Sequence, residues 1–413
     1  MIRLRDLSAG VRQYLVVTGN YWAFTLTDGA LRMLVVLHFH SLGYSPLDIA
    51  LLFLFYEFFG IVTNLVGGWL GAWLGLNKTI NLGLALQVIA LSMLLVPAVW
   101  LTVPWVMAAQ ALSGIAKDLN KMSAKSSIKL LVPGDQQSRL FHWVAVLTGS
   151  KNALKGVGFF MGGALLAWLG FRGAAGAMAV VLALVFILSL RLLTQDLGKA
   201  KNKPRFSRIF SKSPSINILS AARLFLFGAR DVWFVVALPV FLSQVLGWPP
   251  IQVGSFMALW VIGYGLVQSQ APLLTGKRSG RVPGRNAVII WGLLLAIIPA
   301  GIAVGLTTLN NVAPVLVGGL LVFGVLFAIN SSLHSYLIVS FADADGVSLD
   351  VGFYYMANAA GRLLGTVLSG WLYQVYGLEM CLWVSAGFVA LAAVISVWLP
   401  QAGSTGQKND VVN

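Results

Sequence analysis

Lys117, Lys121, Lys125 and Lys129 recur every four residues in the stretch from Gly114 to Lys129. On a helix that spacing lines them along one face in a shallow spiral. The stretch leaves the apolar run 103–112 with no turn signal, so an apolar helix continues straight into lysines. Lys151 and Lys155 repeat the spacing in the middle of the next hydrophobic segment. A charge at the centre of a bilayer helix costs roughly 2.5–3.5 kcal/mol on insertion scales, so it persists where it faces water, a partner or a ligand. Several cations at such depth point to a membrane cavity built for an anion.

Counting inward from the ends of the apolar segments places Asp28 and Arg32, Lys151 and Lys155, Arg230 and Asp231, and Arg362 near the bilayer midplane. Arginine grips an oxyanion with a planar fork, whereas lysine supplies a mobile point charge. A ligand with two tetrahedral oxyanions would engage Arg32 and the lysines from one half of the chain and Arg230 or Arg362 from the other. Asn358, Asn330 and His334 join this substrate-binding set as uncharged polar groups, with Asn330, Ser331 and His334 forming a polar wall.

Some of these groups have competing roles. Asp28 and Arg32 stand four apart and either neutralise each other or serve a ligand. Arg230 and Asp231 point about 100° apart on a helix, which disfavours direct pairing. Asp118 is a partner for Lys121, and Lys117 lies at similar depth. Lys125 and Lys129 are expected at the cytoplasmic mouth, reaching to headgroups. Lys151 and Lys155 have no acid within one turn, which favours a ligand role. Arg223 is either a deep cavity base or an interfacial anchor. Glu57 and Asp28 are candidate proton carriers, because a carboxyl in apolar surroundings holds its proton more tightly; the rival reading makes Glu57 a fixed partner of a lysine. The spacing of His38, His40, His142 and His334 makes no zinc site, and no metal or other cofactor is expected.

The elements that must position these groups follow from composition. Hydrophobic residues make up 58% of the 413 and charged residues 10%, against about 25% charge in a soluble protein, so the chain is an all-α membrane protein. Its net charge of +15 comes with no nucleic-acid-binding pattern, and nucleic acid is not expected as a partner. Cys381 is the only cysteine, which leaves no disulfide framework. Apolar runs of about 20 or more residues fall near 14–40, 48–73, 79–100, 103–128, 140–168 and 173–193. Six more follow near 217–243, 250–275, 286–306, 312–338, 350–376 and 378–399.

Twelve transmembrane helices in two six-helix bundles result, with domains at 1–193 and 217–400, a basic linker at 194–216 and a tail at 401–413. The linker holds six Lys or Arg between Lys199 and Lys212 and reads as a solvated loop. The N-terminus lacks a short apolar core with a cleavage site and reads as a retained first span. Arg3, Arg5, Arg12, Lys78, Arg139, the linker and the cluster Lys277, Arg278, Arg281 and Arg285 fall on one side. The opposite loops hold Arg172, so both termini are expected to be cytoplasmic. Asp343, Asp345 and Asp350 make a local acidic exception that carries little weight in this rule.

An internal repeat supports the halves. Lys155, Gly158, Gly163 and Gly170 match Arg362, Gly365, Gly370 and Gly377 at a constant offset of 207, and GYSPLDI from Gly43 resembles GWPPIQV from Gly247 at an offset of 204. Interior charges fall on spans one, two, four, five, seven and eleven, while the third and sixth spans of each half hold none. Charge-free spans can face lipid, and the others can line a path for alternating access.

The six-plus-six plan, the basic central loop and this pattern of charges resemble the major facilitator superfamily. In GGWLGAWLGLNK, from Gly67 to Lys78, the glycines and Lys78 fit the motif after the second span, but Ala72 and Trp73 replace its acid and base. Gly149, Gly158 and Gly162 reproduce the glycine spacing of the exporter-associated motif, with Gly163 in place of its proline. The blocks Val17–Pro46, Gly114–Pro133 and Leu147–Gly163 resemble the ArsJ-type organoarsenical efflux permeases. That resemblance implies a carrier in the bacterial inner membrane that exports 1-arseno-3-phosphoglycerate, and a monomer is expected. It also implies a functional link to glyceraldehyde-3-phosphate dehydrogenase, which makes this ester from arsenate. A multidrug or sugar-phosphate carrier and a non-transporting sensor of a phosphorylated ligand are the alternatives. No span groups a nucleophile, a base and an orienting partner, so an enzyme is not expected.

Overall fold

Backbone donors and acceptors in lipid must be satisfied within their own segment, and this chain meets that requirement with helices alone among the described residues. The computed structural model describes residues 9–44, 52–131, 137–193, 197–200, 213–275, 283–343 and 346–401. Arg3, Arg5, Asp345, the bases at 277, 278 and 281, most of the basic linker, the tail from 402 and the side chain of His40 lie outside them.

The first half contains α1 (Ala9–Ser41), α2 (Leu54–Leu74), α3 (Leu76–Met93), α4 (Val103–Leu131) and α5 (Gln137–Leu192). The second contains α6 (Pro214–Phe234), α7 (Ala237–Gln244), α8 (Pro250–Thr275), α9 (Arg285–Thr308), α10 (Val312–Phe341) and α11 (Val347–Ile395). The 56-residue α5 and the 49-residue α11 are each far longer than the roughly 20 residues that cross a bilayer. Each is two spans joined with no loop, at Gly170 (φ 67°, ψ 178°) and Gly377 (φ 79°, ψ −175°). That backbone region is essentially closed to residues with a Cβ. These are the two glycines that the repeat matches at 207, and Gly43 and Gly247 of the second match also take positive φ. The duplication is therefore visible in the backbone as well as in the letters.

The expected seventh span is broken. α6 ends at Phe234 and α7 resumes at Ala237 because Pro239 supplies no N–H and its ring crowds the carbonyl of Val235. The freed N–H groups of Val236 and Ala237 both donate to Ser369 Oγ, at 3.3 and 3.1 Å. Counting α6 and α7 as one interrupted crossing, the described helices form twelve spans, six on each side of the linker.

Two compact units emerge. One takes the described residues within 1–136, 150–211 and 342–356, and the other those within 137–149, 212–341 and 357–413. The first is cored by Leu31, Leu34, Phe39, Leu84, Leu91, Phe171 and Leu182, drawn from α1, α3 and the second arm of α5. The second is cored by Phe227, Trp233, Trp260, Leu295, Phe323, Phe327 and Leu382. Val180, Val181, Leu184 and Leu188 of α5 and Ile290, Leu293 and Ile297 of α9 stay exposed. Apolar exposure on segments with no interior charge is what a lipid-facing surface requires.

Candidate functional site

Each unit holds its own cluster of ionised side chains, built on the contact between its first and fifth spans. In the first unit α1 and α5 meet at glycine: a Cβ on Gly158 would stand 2.7 Å from the Leu26 carbonyl oxygen. That close approach lets Lys155 of α5 reach Asp28 of α1, with Nζ 3.7 Å from Oδ2. In the second unit a Cβ on Gly365 would stand 2.6 Å from the Gly228 carbonyl oxygen, and Arg362 Nε lies 3.0 Å from Asp231 Oδ2. Lys155 and Arg362, matched in the sequence repeat, thus make the same kind of pair with the first helix of their own half.

Around Asp28 the network widens. Tyr56 of α2 donates its hydroxyl to Asp28 Oδ1 at 2.6 Å. The guanidinium of Arg32 lies 4.8 Å from the Tyr56 ring centre and the Lys117 ammonium 3.7 Å from it, so one ring carries two cations. Arg32 NH2 also reaches Glu57 Oε1 at 3.1 Å. Asp118 is buried and accepts Lys121 at 2.5 Å, with Lys117 at 3.7 Å. Lys151 lies half-buried one turn before Lys155.

In the second unit Asp231 has no exposed surface and holds two arginines, Arg230 through Oδ1 (Nε at 2.6 Å) and Arg362 through Oδ2. Arg230 also lies 5.1 Å from the Phe227 ring centre and 5.6 Å from that of Phe327. Arg223 is deeply buried against Phe227 (3.8 Å), donating from Nε to Asn358 Oδ1 at 2.8 Å and from NH1 to the Ser331 carbonyl at 3.3 Å. Asn330 donates to the carbonyls of Trp291 and Leu326. With His334 it borders a small void walled by Leu226, Val288, Val389 and Ala392, with no room for a water molecule.

Two readings left open gain partners here, and two expectations are corrected. Asp28 and Arg32 both take partners on α2, Asp28 the Tyr56 hydroxyl and Arg32 the Glu57 carboxylate. Glu57 has Arg32 as an ion-pair partner. Arg230 and Asp231 pair directly, because a long arginine side chain can curl over the 100° that separates neighbours on a helix. Lys125 is 2% exposed and hydrogen-bonds the Tyr355 hydroxyl instead of reaching headgroups. The expected pair of Asp118 with Lys121 is present. Sequence reasoning missed Tyr56 and Tyr355, whose cation partners come from other helices.

Two acids that each hold two bases, Asp118 and Asp231, together with Arg32 and Lys155 on carboxylates of their own, leave both clusters rich in cations. Such a cluster can exchange an internal carboxylate for an external oxyanion. The sequence matches the Major Facilitator Superfamily over residues 15–264 and 219–410, most of its length. The chain belongs to the major facilitator superfamily. It is a secondary transporter of a small substrate across a lipid bilayer, and not an enzyme. No curated protein matches the sequence. Among solved major facilitator structures it is similar to the human organic anion transporter MFSD10 (TETRAN), with 16% identity, TM-score 0.75, and coverage of 94% of this chain and 100% of that one. A bacterial homologue of the iron transporter ferroportin in an outward-facing state gives 17% identity and TM-score 0.72, with coverage of 94% and 98%. The proton:xylose symporter XylE gives 15% identity and TM-score 0.72, with coverage of 94% and 95%. At these identities the likeness is one of major facilitator fold.

Proposed function

We propose that this chain exports a small organic anion bearing tetrahedral oxyanions, specifically 1-arseno-3-phosphoglycerate, from the bacterial cytoplasm across the inner membrane, with both termini cytoplasmic. The observation that carries the anion reading is the meeting of Arg230 and Arg362 on Asp231, repeated in the first unit by Lys155 and Tyr56 on Asp28. An oxyanion that takes the place of Asp231 gains two planar forks, and one that takes the place of Asp28 gains an ammonium and a phenol. The arsenical reading is supported by the three sequence blocks that resemble ArsJ-type permeases, which contain Asp28, Arg32, Lys117, Asp118, Lys121, Lys151 and Lys155. Similarity of fold to an organic anion transporter is compatible with both.

The test is arsenate tolerance in cells that lack other arsenic exporters, with this protein, with glyceraldehyde-3-phosphate dehydrogenase, and with both. Protection only when both are present is the expected result. Arg230→Ala is expected to remove that protection while the protein still inserts. Protection without the dehydrogenase, protection against lipophilic cations instead, or full activity of Arg230→Ala would overturn the proposal.

A further inference from the structure

The lysine face of α4 has a partner from the other sequence half. Tyr355, in the first turns of α11, belongs to the first unit and is 3% exposed. Its ring centre lies 4.6 Å from Lys121 Nζ and 4.8 Å from Lys125 Nζ, and its hydroxyl is hydrogen-bonded to Lys125. The same turns of α11 rest on α2 through a seam of small residues. A Cβ on Gly352 would stand 2.5 Å from the Asn64 carbonyl oxygen and 2.8 Å from Gly68 Cα, and one on Gly68 would stand 2.5 Å from the Ser348 carbonyl oxygen. One short segment is therefore held by backbone contact on α2 and by a phenol on two lysines of α4.

We propose that Tyr355 is a ligand-displaceable latch, a positioning residue that occupies Lys121 and Lys125 until a multivalent oxyanion takes them and the start of α11 is released from α2. This rests on the anion reading above and adds how binding is transmitted. The ordering of strengths decides it. A neutral phenol gives an ammonium one hydrogen bond and a ring face, whereas a phosphate or arsenate gives it a full charge and several acceptors. The anion therefore displaces the phenol hydroxyl from Lys125 and the ring face from Lys121, which keeps its Asp118 pair. Asp118 does not fill this role, since its two oxygens already serve Lys117 and Lys121 on its own helix. The α2 contact holds the segment by close packing of small residues, which can part without breaking the hydrogen bonds of either helix.

The reporter is Ser348→Cys in a Cys381→Ser background. Ser348 is 1% exposed, sits in the seam, and its hydroxyl has no hydrogen-bond partner, so the change is nearly isosteric and costs no bond. The measurement is the rate of alkylation by N-ethylmaleimide in the full-length protein in liposomes. Additions are inorganic phosphate, arsenate or 3-phosphoglycerate, against chloride at matched ionic strength. The expected result is a rise of about tenfold with the oxyanions and none with chloride, equivalent to about 1.4 kcal/mol of preference for the released state. Tyr355→Leu is expected to react fast without any anion, and Tyr355→Phe, which keeps the ring and loses the hydroxyl, to fall between. A rate indifferent to all three oxyanions, or Tyr355→Leu reacting as slowly as the parent, would overturn the latch. Should the reporter fail to fold, hydrogen exchange at the amides of residues 347–356 in the parent protein reads the same release under the same additions. The two proposals fail separately. Oxyanion-dependent release without arsenate protection removes the arsenical reading alone, and protection without release removes the latch alone.

Discussion

Replacing Asp231 by Asn tests the second cluster at its centre. Asp231 is fully buried, whereas the side chains of Arg230 and Arg362 keep 16% and 29% of their surface. In the native protein each carboxylate oxygen serves one arginine. An amide of the same shape keeps one acceptor but turns an NH2 toward the other guanidinium, so a donor faces a donor and two positive charges lose their shared counter-ion. Removing one partner of a buried ion pair costs about 3–5 kcal/mol. Because both arginines retain some surface, the low end applies, about 3 kcal/mol or roughly two decades in the folding equilibrium. If the arginines are built for an oxyanion, added anion replaces the missing carboxylate, and a ligand at about 100 times its dissociation constant returns about 2.7 kcal/mol. The assay is thermal denaturation of purified Asp231→Asn in detergent, at one heating rate, with and without phosphate, arsenate or 3-phosphoglycerate. The expected outcome is a large loss of stability, most of it recovered by the oxyanions, and a smaller anion response in the parent. A variant as stable as the parent, or one that no anion rescues, would refute the exchange of carboxylate for oxyanion.

Two other outcomes follow from the geometry. Tyr56→Phe removes the donor to Asp28 and keeps the ring beneath Arg32 and Lys117, so it should cost about 1.5–3 kcal/mol, the range for a hydrogen bond to a charged group. Thermal denaturation checks this, and no change would mean that Lys155 alone suffices for Asp28. Gly170→Ala and Gly377→Ala should each destabilise by about 1–3 kcal/mol, and by similar amounts, because both positions need the same glycine-only backbone region. Unequal losses, measured as the yield of monodisperse protein on heating, would argue against equivalence of the two joints.

The repeat and the spans were legible because they depend on local signals, namely apolar length and glycine at fixed places. The match of Gly170 with Gly377 and of Lys155 with Arg362 is readable from chain order at a single offset of 207. Pairing was less legible, since its partners come from other helices. Spacing along one helix leaves open whether Asp28 meets Arg32, and the partners they take, Tyr56 and Glu57, come from α2. The same limit hid Lys125, whose partner Tyr355 lies 230 residues away in sequence. Arg230 with Asp231 fails for the opposite reason: helical direction sets the two residues apart, and the length of the arginine side chain spans the gap.

The interruption between α6 and α7 is bridged by one serine hydroxyl, Ser369 Oγ, which satisfies two main-chain donors at once. The eight-residue piece beyond it is thus fastened at its root by a side chain of another span, and the gap, if it turns, is a pivot already furnished with its bearing. Motion of that terminal piece need not bare an amide to hydrocarbon so long as the serine travels with it. Exchange of Ser369 for alanine would leave the pivot in place and strip its bearing, which separates the mechanical use of the gap from its mere existence.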